Sequence, residues 1–194
     1  DDHAGHDDHD DHDDHAGHDH GAHGHGSNSA GWAWAGAFRI SPGTHVWTAE
    51  KVAGSYVHGE KSIKLFYGYS NLTDGEAAIA ELEPSAQAAF SDCGKTMKVS
   101  GNTEGLLLGY DQHGAGMPAA AKPPALYNLE FDTSSWFSVW KFKSQIAKES
   151  TIVIFADHPA IELEGEAGHY FRDAAGTNIE PIHEVPDGGD VEKA

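Results

Sequence analysis

The sequence predicts a mainly β fold: an antiparallel β-sandwich with one short kinked helical insertion and a flexible N-terminal tail. Three observations carry this expectation. Short segments rich in Val, Ile, Leu, Phe, Tyr and Trp recur from residue 32 onward, separated by Gly, Pro, Asn and Asp. One stretch, after residue 73, has apolar residues at helical spacing. No βαβ rhythm and no glycine-rich phosphate loop is visible, which removes the usual nucleotide-binding architectures.

From Trp32 to Ile40, WAWAGAFRI alternates large and small, as a strand with one packed face does. Pro42-Gly43 signals a turn, and THVWTAEKV is expected to return as the second arm of a hairpin. SIKLFYGYS (62–70) is the next strand. Thr73 and Glu76 fit a capping box, and Ile79, Leu82, Ala86, Ala89 and Phe90 then recur on one helical face. Pro84 falls inside that pattern, so the helix is expected to kink or split. TMKVSG, EGLLLGYD, ALYNLEFD, WFSVWKFKS and STIVIFAD read as strands, with an irregular connection at 114–125. Beyond Pro159, IELEG, HYFRD and NIEPIHEV read as three short strands.

Two regions follow: a low-complexity tail over 1–31 and a single domain over 32–194. The chain has 194 residues, 12 Lys+Arg, 31 Asp+Glu and 15 His, for a formal charge of -19. Nine His and nine Asp fall within residues 1–26, which contain no Lys or Arg. This segment lacks any aliphatic side chain larger than Ala and cannot build an apolar core. An acidic chain without a basic cluster is a poor nucleic-acid binder, since that affinity rests on Lys and Arg at phosphates. Anionic membranes are disfavoured for the same reason. Metal cations are the partners such a surface invites.

His3, His6, His9, His12, His15 and His18 repeat every three residues, and His20, His23 and His25 continue the series. Imidazole suits Zn2+, Cu2+, Ni2+ and Co2+, and the interleaved carboxylates offset cation charge. Several ions are therefore expected on the tail, zinc first. In the domain, FADHPAIELEGEAGHYFRD places His158, Glu162, His169 and Asp173 where a hairpin of 160–164 and 169–173 would gather them. His183 and Glu184 are candidates to close that end, and His158, Glu162 and His169 are the expected second ligand set. His45 is expected to be a structural histidine within a strand, and His58 an exposed one near a turn. His113 and Met117, on a glycine-rich loop, are a weaker copper candidate.

WAGAFRISPGTHVWTAEKVAG (34–54), FADHPAIELE and HYFRDAAGTNIEPIHE (within 155–184) resemble poorly characterised secreted or periplasmic proteins. Those proteins have a His/Asp-rich N-terminus and accompany zinc or related metal transport. The resemblance covers both ends of the domain but not its middle. It implies metal handling, with His158, Glu162 and His169 in its recurrent histidine/acid segment, and it implies no ligand roles.

A start at Asp1-Asp2 without Met looks processed, and the metal-scavenging tail is the main reason to expect a periplasmic or extracellular protein. No apolar run reaches the length of a transmembrane helix. Asn71-Leu72-Thr73 fits the glycosylation triplet, and the single Cys93 has no internal partner. No GxSxG or HExxH is present, so the protein is not expected to be an enzyme. The expected function is binding, buffering or delivery of divalent transition-metal ions, with a membrane metal transporter as the candidate recipient. The alternative is a self-assembling extracellular structural protein joined through tail and metal.

Overall fold

The computed structural model describes residues 31–92, 96–102, 107–108, 126–144, 146–165 and 168–186. The tail, Cys93 and the loop carrying His113 and Met117 lie outside the described residues. Among the described residues, ten strands and one α-helix are arranged as β1 (Trp34–Ile40), β2 (Gly43–Glu50), β3 (Ser62–Ser70), α1 (Gly75–Ser91), β4 (Thr96–Ser100), β5 (Leu107–Leu108), β6 (Leu126–Glu130), β7 (Phe137–Ser144), β8 (Ser150–Ala156), β9 (Phe171–Asp173) and β10 (Pro181–Val185). They form two open sheets, one of order β10-β1-β8-β3-β6-β4 and one of order β5-β7-β2-β9. The molecule is mainly β and sandwich-like.

The core between the sheets is aromatic. Trp34, Phe38 and Ile40 of β1 meet Trp47 of β2, Trp140 and Phe142 of β7 and Phe171 of β9. Phe38 and Phe171 pack edge to face with ring centroids 5.0 Å apart. Burying each such side chain contributes roughly 1.5–3 kcal/mol. Trp140 Nε1 still finds a partner, donating to the Val99 carbonyl at 3.2 Å.

A second apolar layer lies on the opposite face of the larger sheet. There Trp32, Ala35, Ala37, Val153 and Phe155 meet Ala78, Ile79, Ala86 and Ala89 of α1. The large–small alternation of WAWAGAFRI is thus two packed faces, not one. Trp34, Phe38 and Ile40 fill the space between sheets, while Ala35 and Ala37 let the helix approach closely and Trp32 packs on the helix side.

Four expectations are corrected. First, β1 and β2 are not a hairpin: β1 pairs with β8 and β10, while β2 pairs with β7 and β9. The chain crosses between sheets at Ser41–Pro42, and Gly43 begins the new strand at φ +144. Second, the pairing is not wholly antiparallel, because β4 runs parallel to β6 and β5 parallel to β7. The chain leaves β4 for the other sheet before returning as β6, and such a crossover permits parallel pairing where a tight turn does not. Third, the helix does not split at Pro84 but runs as one continuous element of 17 residues. Its N-cap is Asp74, not Thr73: Asp74 Oδ1 accepts from Ala77 N at 2.9 Å. Fourth, Ala160–Leu163 is a 3-10 turn rather than a strand, anchored by buried Ala160 and Leu163.

Candidate functional site

The antiparallel pairing of β3 with β8 sets Leu65 opposite Ala156. Residues just before β3 therefore lie beside residues just after β8. Asp157 fixes this end, its Oδ1 accepting from Lys64 N at 2.8 Å and its own N donating to Lys64 O at 3.2 Å. Burial pushes the Asp157 carboxyl above the usual carboxylate range, against the pull of that backbone bond. His158 follows, and the 3-10 turn then carries Glu162 back to it.

On the other side, Tyr56 anchors the approach to β3. Its ring stacks on Phe131 at 4.4 Å, and its hydroxyl accepts from Ser138 Oγ at 3.1 Å. Two residues later His58 adopts φ +50, a left-handed conformation in which His is among the more tolerated side chains. The turn closes by Gly59 N donating to Tyr56 O at 2.6 Å.

These two segments meet at one carboxylate. Glu162 Oε2 lies 3.3 Å from His158 Nδ1, and Glu162 Oε1 lies 3.6 Å from His58 Nε2. The hydrogen bond to Glu162 raises the His158 pKa despite its partial burial, and the same bond lowers that of Glu162. Each shift favours the charged form of its group.

His169 does not join them. Its side chain is only 9% exposed, with Nε2 donating to the Ile179 carbonyl at 3.0 Å. That carbonyl can only accept, so Nε2 carries the proton. Glu164 Oε1 lies 2.5 Å from Nδ1, off the line of a hydrogen bond, and Glu180 Oε2 stands 3.8 Å from Nε2. The hairpin expected to gather His158, Glu162, His169 and Asp173 is replaced by the 3-10 turn and a bridge between Gly165 and Gly168. Asp173 instead serves its own turn, accepting from the backbone N of Ala175 and Thr177 at 2.8 Å each. Glu184 accepts from Trp34 Nε1 at 3.1 Å, and His183 lies on β10 beside Gly75 of α1.

Among the described residues, no group of three or more His, Cys, Asp or Glu is arranged to hold a metal ion. Sequence reasoning placed His158 and Glu162 together and missed His58, because positions 58 and 158 are joined only by strand pairing. The tail histidines, His3, His6, His9, His12, His15, His18, His20, His23 and His25, lie outside the described residues.

A space of about 10 Å³ between the sheets is lined by Trp47, Leu65, Tyr67, Phe142, Ile154 and Phe171. That is room for one water at most, and the lining is apolar. No helix among the described residues is long and apolar enough to cross a membrane. Set against family models, curated proteins and solved structures, the chain has no match in any of the three.

Proposed function

We propose that this protein binds, buffers or delivers divalent transition-metal ions outside the cytoplasm, zinc first, through its His/Asp-rich N-terminal segment. One observation carries the reading: nine histidines and nine aspartates within 26 residues, with no Lys or Arg among them. Imidazole supplies nitrogen ligands for zinc, copper, nickel and cobalt, and the aspartates neutralise the charge that each ion brings. Many ligand subsets of similar quality favour loading several ions with ready release, as a buffer or carrier requires. In this reading the domain is a β-sandwich scaffold that holds the arm, and a membrane metal transporter is the natural recipient. No catalytic step is assigned.

Calorimetric titration of zinc into the full chain, and into a chain beginning at Gly31, tests it. Several ions bound by the first and at most one by the second support the reading; equal stoichiometry overturns it. The mass in solution, measured with and without zinc, separates a monomeric carrier from a metal-joined assembly.

A further inference from the structure

We propose that His58, His158 and Glu162 bind one divalent transition-metal ion on the folded domain, at a site separate from the N-terminal segment. The first support is distance. Around a tetrahedral ion with ligands at about 2.0–2.2 Å, neighbouring donor atoms stand about 3.3–3.6 Å apart. The two nitrogen–oxygen separations at Glu162 are 3.3 and 3.6 Å. Each nitrogen–oxygen pair at Glu162 thus has the separation of neighbouring ligands on one ion, the two pairs using different oxygens of the carboxylate.

The second support is the division into a fixed half and a movable half. His158 and Glu162 are 26% and 28% exposed and sit at the end of β8 and on its following 3-10 turn, a segment pinned by Asp157, Ala160 and Leu163. His58 is 80% exposed, so its ring can turn without disturbing the core. The two rings now address different oxygens of the carboxylate, which is why the three donors do not yet meet at one point. Swinging the His58 ring inward is the movement that an arriving ion would drive.

The third support is charge. Asp157 and Glu60 both act on His158 electrostatically, whereas Lys64 faces Asp157. The local field favours a cation. Two imidazoles and one carboxylate form a zinc-type set with a position left for water, and they disfavour calcium or magnesium, which take oxygen ligands.

The test is thermal melting of the full chain in chelator and in excess zinc. A low-complexity segment binds zinc in folded and unfolded chains alike and moves the melting point little. A site assembled from residues 58 and 158 exists only in the folded state, so its occupation raises the melting temperature. We expect zinc to raise that of the wild type by several degrees. His58→Asn keeps a side chain suited to the left-handed backbone and should melt like the wild type in chelator, yet show less than half the zinc shift. Glu162→Gln should show none relative to its own value in chelator. A wild-type melting point indifferent to zinc, or an undiminished shift in either variant, overturns the site. The N-terminal segment is judged by stoichiometry and this site by the melting shift, so each stands or falls separately.

Discussion

The imidazole of His45 lies almost flat on the ring of Phe171, with centroids 5.8 Å apart and planes 27° from parallel. Phe142 packs against the same imidazole edge-on at 5.9 Å, and Nδ1 of His45 is buried. Burial lowers the His45 pKa below its ordinary 6.5, although the charge of Asp173 pulls the other way.

That geometry fixes a pH dependence. The unfolded chain takes up a proton at His45 near 6.5, while the folded chain resists it until lower pH. Stability from this residue is complete above the unfolded value and is lost as pH falls toward the folded one. His45→Phe should therefore lose less stability than the wild type between about pH 7 and pH 5 in chelator. Denaturant melts at both pH values check this, and an equal or larger acid loss in the variant refutes the burial account.

Gly36 is fixed by its neighbours on β1. A Cβ there would stand 2.4 Å from Trp34 Cη2 and 3.0 Å from Phe38 Cε2. Both rings are buried in the core between sheets and have little freedom to retreat. Gly36→Ala should destabilise the protein by about 1–3 kcal/mol through overpacking, despite the better strand propensity of alanine. Chemical denaturation measures it.

The helix cap separates two neighbouring residues. Asp74→Ala removes the acceptor for Ala77 N and should cost about 1 kcal/mol. Thr73→Ala should change stability by less than about 0.5 kcal/mol, as exposed substitutions outside a cap do. Comparable losses in the two variants would place the cap at Thr73 after all.

The pairing of His158 with Glu162, and not of His169, is open to a double-mutant cycle in chelator at pH 6. His158→Gln and Glu162→Gln should couple by about 0.3–1 kcal/mol, the range for partly exposed pairs. His169→Gln and Glu162→Gln should add within about 0.5 kcal/mol. Strong coupling in the second cycle would mean that His169 shares the site.

Much of the architecture is written in local pattern. The strands expected at TMKVSG, ALYNLEFD, WFSVWKFKS and STIVIFAD and the helical face of Ile79, Ala86 and Ala89 are where spacing puts them, since each records which side of an element meets apolar neighbours. His45 sits inside the strand, and His58 is exposed beside its turn, as the residues around them imply. Local pattern misleads where two partners impose the same periodicity. Trp34, Ala35, Phe38 and Ala37 alternate in size because a sheet packs on one face and a helix on the other, and size alone does not distinguish that from one face in water.

Sequence by itself determined the mainly β content, the single helix and the chemical distinctness of the His/Asp segment, because these follow from composition and short-range spacing. Tertiary structure alone decided that β1 and β2 belong to different sheets, that β4 and β5 run parallel to their partners, and that His158 and Glu162 face His58 while His169 turns to Ile179 and Glu164. Those outcomes rest on pairing between strands remote along the chain. The β3–β8 register brings residue 58 to residue 158, and the intervening hundred residues carry no local mark of that meeting.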